Sequence, residues 1–428
     1  MKRIFTYGLL AVLLTCLAAA ATLYWMGTRG DTSTGAAAAP ADAARMVEQG
    51  RYLARLGNCM ACHTAQGGKA YAGGTAIPTP FGTLYGPNIT PDPQTGIGNW
   101  NADDFWQALH NGKSKDGSLL YPAFPYTEYT RVSRADADAL FAYLRTVEPV
   151  NQPSRPHELA FPYNQRGLLA FWRALYFQPG VYQPDAGETV PWNRGRYLVE
   201  GLGHCAACHA PRNRLGATRA ADGLAGGLIA GLDWYAPPLG NDPATGLGGW
   251  SAQDIAMLLQ TGMARHSTAS GPMAEVVLGS SQYLSDTDAL AMGTYLKSLP
   301  ATPAAQSTPP AAPSAALMDI GGKLYRQHCA VCHQDQGQGS GTAWPALAGN
   351  PTVTAPLPVN AIRVVLDGGF APATAANPRP HGMPPFAPVL GDNDVAALVS
   401  YIRSSWGNQA GRVTSFEVKR VRDASTLN

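Results

Sequence analysis

Charge is scarce in this sequence: 14% of its 428 residues are Asp, Glu, Lys or Arg, and the formal net charge is +2. No dense block of lysine and arginine occurs, so little could neutralise a run of phosphates, and nucleic acid is set aside as a partner. Cysteine is also sparse, at seven. Methionine is missing altogether between Ala61 and Ala256, so any chemistry that needs a thioether in that stretch is excluded. What remains is 45% hydrophobic, which speaks for folded material, and the length allows about two to four domains.

Long apolar runs are confined to the start. From Ile4 to Met26 there is no charge, and at about 1.5 Å per residue this is enough helix to cross a ~30 Å hydrocarbon core. Lys2 and Arg3 stay cytoplasmic in that reading and the rest of the chain is exported. A cleaved signal ending near Ala18-Ala19-Ala20 is the competing reading. The uncleaved anchor is favoured because the run continues into Tyr24 and Trp25, an aromatic pair suited to the membrane interface. Cys16 lies inside the run without the small residue that a lipoprotein site requires.

The other six cysteines form three pairs, each closed by a histidine: Cys59-Met-Ala-Cys62-His63, Cys205-Ala-Ala-Cys208-His209 and Cys329-Ala-Val-Cys332-His333. The flanks repeat too. Gly50-Arg-Tyr-Leu and Gly195-Arg-Tyr-Leu precede the first two pairs, and Gly322-Lys-Leu-Tyr precedes the third. Amphipathic helices capped at Ser133, Ser285 and Asp392 close the units, with Asp136 and Asp288 at the positive ends of the first two. The three glycines are expected to let the first helix of each unit cross tightly against Tyr143, Tyr295 or Tyr401 of the last.

Two thiols separated by two residues and followed at once by histidine suit covalent haem: each sulfur adds to a porphyrin vinyl group while the imidazole binds iron. Zinc wants four ligands, and no second pair stands at zinc-ribbon distance within a unit. A redox disulfide needs neither the histidine nor three copies. The expectation is three covalently bound haem c groups, held by Cys59, Cys62, Cys205, Cys208, Cys329 and Cys332, with His63, His209 and His333 as proximal iron ligands.

A sixth ligand is often a methionine thioether. Met383, in His381-Gly-Met-Pro, is the candidate in the third unit, and Met273, in Gly271-Pro-Met-Ala, in the second, with Met263 as runner-up. The first unit has none. Phe124-Pro125 stands nine residues before Ser133, as Met383-Pro384 stands nine before Asp392, so a benzyl ring occupies the ligand position. Met46 and Met60 belong to the proximal side. His110 and His157 could substitute, and their bland alternatives are a solvent-facing residue at a helix C-terminus and a loop histidine; a five-coordinate or water-bound first haem is the third possibility. Trp100, Trp250, Arg212 and Asn213 could reach haem propionates.

Taken together, the three motifs, Tyr121-Pro-Ala-Phe-Pro-Tyr126, Phe161-Pro-Tyr-Asn164, Cys208-His-Ala-Pro-Arg-Asn213 and Gly271-Pro-Met-Ala-Glu-Val-Val277 resemble the three-haem cytochrome c subunits of membrane-bound bacterial periplasmic dehydrogenases acting on alcohols, aldehydes, gluconate or sorbitol. The resemblance covers nearly the whole exported chain and implies an electron relay, not an enzyme. Its donor is a catalytic subunit carrying a quinone, flavin or molybdenum cofactor, and its acceptor is ubiquinone or a terminal oxidase of the respiratory chain. At Phe124 the family pattern has methionine, so this sequence departs there. A free-standing multihaem carrier, and a haem enzyme or gas sensor using an open first haem, are the rival readings.

The expected architecture is mostly α: three tandem cytochrome c domains after an N-terminal transmembrane helix, on the periplasmic side of the cell membrane. Its divisions are an anchor or signal at 1–27, a tether at 28–43, domain 1 at 44–150, an apolar connecting segment at 151–190, domain 2 at 191–300, a Pro/Ala linker at 301–316, domain 3 at 317–406 and a tail at 407–428 holding a possible short helix.

Overall fold

The computed structural model describes residues 2–31, 42–218, 222–229, 231–301, 311–341 and 343–425. It is mostly helical, with a few two- to four-residue strands. Most of the expected tether and Pro/Ala linker lies outside the described residues. Their described ends are ordered: Gly27 and Thr28 complete the apolar N-terminal helix Lys2–Thr28, Asp42 caps the next helix, and Ala315 already begins another.

One helix pair recurs three times. An opening helix (Ala43–Leu56, Val190–Tyr197 or Ala315–His328) crosses a closing helix (Arg134–Leu144, Asp286–Ser298 or Asp392–Ser404). Glycine makes the crossing possible. A Cβ on Gly50 would stand 1.8 Å from the Ala139 carbonyl oxygen, and one on Gly195 1.9 Å from that of Ala291, distances no side chain tolerates. In the third pair the residue at the crossing is Gly321, 2.3 Å by the same measure from the Ala397 oxygen, whereas Gly322 meets only the Tyr401 ring at 3.1 Å. The expectation of Gly322 was thus one residue late. Spacing explains the slip: Gly50, Gly195 and Gly321 stand nine, ten and eight residues before their first cysteines, and a π-helical turn at Leu198–Leu202 takes up length in the second pair.

Ser133 and Ser285 cap their closing helices by accepting from the amides of Asp136 and Asp288. The third closing helix is capped differently. Gly391 is its N-cap, with Asp394 accepting the Gly391 amide, while Asp392 lies in the first turn and holds Arg422 at 2.8 Å. Arg422 belongs to the helix Ser415–Ser425, where a short helix was expected.

The first two pairs share one hydrophobic core running from Leu53 and Leu140 to Leu198 and Leu296. Across it they exchange tyrosines. The Tyr197 hydroxyl donates to Asp136 at 2.6 Å and accepts from the Ser133 amide; the Tyr52 hydroxyl donates to Asp288 at 2.7 Å and accepts from the Ser285 amide. Each opening helix therefore completes the N-terminus of the other pair's closing helix. The third pair has its own core, which Tyr235 enters from the second unit, and buried Asn360 bonds both the amide and the carbonyl of Tyr235.

The connecting segment folds back instead of hanging free. Glu158–Leu159 adds a third strand to the antiparallel hairpin Ala76–Thr79/Gly82–Tyr85. Its helix Leu169–Tyr176 packs on the end of the N-terminal helix.

Candidate functional site

Each Cys-x-x-Cys-His segment forms one short helical turn after an opening helix. The histidine at its end is held in one way three times. His63 Nδ1 lies 2.7 Å from the carbonyl oxygen of Pro87, His209 Nδ1 2.7 Å from that of Pro237, and His333 Nδ1 2.9 Å from that of Pro345. A carbonyl only accepts, so Nδ1 carries the proton and Nε2 keeps its lone pair for a metal. Burial pushes all three imidazoles below the usual histidine range, which keeps them neutral and able to ligate.

The cysteines form no disulfide among the described residues. Burial pushes Cys59, Cys205 and Cys329 up to about 12, and their neighbouring cysteines add to the rise. Thiols held protonated in this way are poor thiolate ligands and poor disulfide exchangers, whereas thioether formation leaves a neutral sulfur that burial does not penalise.

A cavity of about 1940 Å3 opens beside the first two motifs, beyond the roughly 300–1,000 Å3 of a single small-molecule site. Its walls include Cys59, Cys62 and His63, reach Ala207 and Arg212 of the second motif, and are predominantly apolar. Cys208 adds to the upward shift of Cys62, so the first two cysteine pairs lie within electrostatic range of each other. A flat, hydrophobic macrocycle fits walls of this kind, and the neutral, oriented imidazoles fit its iron.

Phe124 lines the same cavity as His63, half-buried, with its ring 5.3 Å from that of Tyr129. The two histidines proposed as substitutes are engaged otherwise. His110 is fully buried, not solvent-facing; its Nδ1 lies 2.9 Å from the Thr130 carbonyl, its Nε2 3.2 Å from Asp31 Oδ2, and its ring stacks on Trp106 at 4.4 Å. Both nitrogens have partners, and the ring is not part of the cavity wall. His157 does line the cavity, but its Nδ1 accepts the Tyr85 amide at 3.2 Å. The proton of the neutral ring must then sit on Nε2, which makes that nitrogen a donor and not an iron ligand.

In the second unit, Met273 lies in the first turn of the helix Pro272–Gly279 behind Gly271, whose φ of 52° favours glycine and where a Cβ would stand 2.6 Å from the Trp234 indole. The sulfur of the runner-up, Met263, accepts from Asn377 Nδ2 at 3.3 Å. Met383 lies on a two-residue strand paired with Gly369 and packs against the third core. Trp100 lines the cavity, whereas Trp250 is buried beside His266. Arg212 also lines it, with its guanidinium on the Gly216 and Ala207 carbonyls, and the Asn213 side chain accepts from the Leu215 and Ala217 amides.

Sequence reasoning did not find the three proline carbonyls. They follow their histidines by 24, 28 and 12 residues, so no fixed spacing announces them. Arg173, buried in the connecting helix, was also missed.

A family model described as cytochrome c matches residues 47–148 and 318–406. The chain is 42% identical over 396 residues to the cytochrome c subunit of a quinone alcohol dehydrogenase from Gluconacetobacter polyoxogenes, covering 88% of this chain and 84% of that one. It is 42% identical over 405 residues to a gluconate 2-dehydrogenase cytochrome c subunit from Pantoea cypripedii, covering 89% and 90%. With a fructose dehydrogenase cytochrome subunit from Gluconobacter japonicus the identity is 39% over 413 residues, covering 90% and 84%.

Proposed function

Because this chain belongs to the cytochrome c subunits of membrane-bound dehydrogenases, an electron-relaying family, we propose that it carries electrons through three haem c groups from a periplasmic alcohol or aldehyde dehydrogenase subunit to membrane ubiquinone or a terminal oxidase. The observation that carries the number three is the thrice-repeated histidine held through Nδ1 by a proline carbonyl beside a Cys-x-x-Cys pair. Three tandem cytochrome c domains, each bounded by a glycine-crossed helix pair, provide the frame.

Bound haem supplies reversible one-electron chemistry at iron. The chain's own residues do the rest. Cys59, Cys62, Cys205, Cys208, Cys329 and Cys332 would hold the haem groups covalently, so that they would not exchange. His63, His209 and His333 present Nε2 from the proximal side. Met273 and Met383 offer thioethers to the second and third sites. Apolar walls exclude water and lower the cost of reorganising around a changed charge.

The first site is the odd one. Phe124 has no lone pair where the other two units offer sulfur, and both substitute histidines are engaged, so a haem held there would receive no sixth ligand from these side chains. His157 Nε2–H is a donor in that cavity, suited to a haem propionate. The catalytic partner is a dehydrogenase subunit with a quinone, flavin or molybdenum cofactor, and the N-terminal helix is retained as the anchor in the inner membrane.

Haem content tests the count. Pyridine haemochrome and intact mass should give three haems per chain, and Cys→Ala at either cysteine of one pair should destabilise or remove one of them. Two haems in the unaltered protein would overturn the reading.

A further inference from the structure

The N-terminal helix does not simply lead into the protein; its last turn is built into it. Gly27 is buried against the connecting helix Leu169–Tyr176, so closely that a Cβ there would lie 1.6 Å from the Ala170 oxygen. Arg173, 1% exposed, donates through Nε to the Gly27 carbonyl at 2.8 Å and through Nη1 to the Asn111 carbonyl at 2.7 Å. Its charge is further covered by the rings of Phe177 and Tyr126, at 4.6 and 5.3 Å. Beyond Gly27 the chain is clamped again. The Asp31 amide donates to Asn111 Oδ1, Asn111 Nδ2 donates to the Asp31 carbonyl, and the Asp31 carboxylate meets buried His110. This gives His110 its role: it seats the exit of the membrane helix.

The exposed face of the segment from Phe161 to Phe177 has the composition of a membrane interface. Phe161 is 80% exposed, Leu175 59% and Leu168 47%, and Trp172 and Tyr176 flank them. From Leu159 to Pro184 there is no carboxylate, while Arg166 and Arg173 are present. Tyr24 of the apolar helix stands 6.0 Å from Phe171, and Arg29 lies 3.5 Å over the Trp25 ring. Aromatic and cationic side chains over an apolar face are what the headgroup boundary accommodates. Leu168, Phe171, Trp172 and Leu175 also border the large cavity, so this same face rims its mouth.

We infer that the segment from Phe161 to Phe177 is a lipid-binding collar, locked to the membrane helix by Arg173, Gly27 and Asp31, which holds the mouth of the first haem cavity against the bilayer surface. The inference rests on the proposal that the N-terminal helix is retained. The occupant is lipid because the collar is continuous with a helix long and apolar enough to cross a membrane, and a protein partner has no such continuity to offer. The first cavity and the membrane then move as one body, and electrons or a membrane-soluble acceptor reach that cavity without leaving the interface.

The test uses the full chain in nanodiscs whose lipids carry a photoactivated diazirine, with cross-links mapped by mass spectrometry. Cross-links are expected in two places: the N-terminal helix and the peptide from Phe161 to Phe177. Phe161→Glu, at an exposed side chain outside the cavity wall, should weaken the second set severalfold while leaving haem content and the first set unchanged. Arg173→Met should do the same by freeing the collar. Should Arg173→Met fail to fold, Phe161→Glu alone decides. A chain intact at its N-terminus with cross-links in the helix but none in the collar would overturn the inference and leave the anchor standing. A mature chain beginning beyond Thr28 would overturn both.

Discussion

Phe124 is a benzyl ring in the wall of the cavity that also holds His63, and the consequences of that one side chain can be measured. Carbon monoxide should bind one haem of the reduced protein, and Phe124→Met should abolish that binding while raising the potential of the first site, since a thioether favours the reduced iron. Absence of a spectral change in the unaltered protein would contradict an open first site. His157 and His204 make a second prediction. Burial lowers both below the ordinary 6.5, helped at His157 by the Arg166 charge and opposed at His204 by the Gly57 carbonyl. The unfolded chain then binds more protons than the native one on the acid side of about 6.5, so stability rises with pH through that region and is lost as pH falls toward the folded values. Melting temperatures between about pH 5 and 7.5 should show the loss, and His157→Gln with His204→Gln should reduce it, the remainder belonging to His63, His209 and His333.

Among the helices, the exchanged tyrosines carry the coupling between the first two units. Tyr197→Phe removes the hydroxyl from Asp136, whose remaining side-chain partner is the neutral Gln49; Tyr52→Phe removes it from Asp288, which keeps a two-point contact with Arg194. A bond to a charged group contributes about 1.5–3 kcal/mol, and Tyr197→Phe is expected to cost more within that range than Tyr52→Phe, read by urea unfolding. Gly321→Ala should destabilise the third unit by more than ~1–3 kcal/mol of ordinary overpacking, because backbone cannot yield, whereas Gly322→Ala meets only the edge of a ring. Equal effects would contradict the assigned crossing point. These helices were legible because their apolar period, serine caps and repeated glycines are local signals. The third glycine was misread because two adjacent glycines satisfy the same pattern, and only the distance to Ala397 separates them. The cysteine-histidine motifs were legible for the same local reason. The carbonyls of Pro87, Pro237 and Pro345 were not, because the loops between histidine and proline differ in length. The burial of His110 was not legible because its partner Asp31 is distant in sequence, just beyond a helix the sequence offered as a membrane anchor or a cleaved signal.

For the molecule as a whole, the first two units form one body through a shared core, the third joins through Asn360 and Tyr235, and the clamp at Arg173 ties the first unit to the apolar N-terminal helix. Such an arrangement suits a relay, in which fixed distances between sites matter more than access for a substrate. The oddity of its first site is the most exposed part of this account, and low-temperature EPR of the oxidised protein beside Phe124→Met tests it most directly. Two histidine–methionine low-spin centres and a third, distinct signal are predicted for the unaltered chain, with the distinct signal converted to the low-spin type by the methionine. Three identical histidine–methionine centres in both proteins would contradict it.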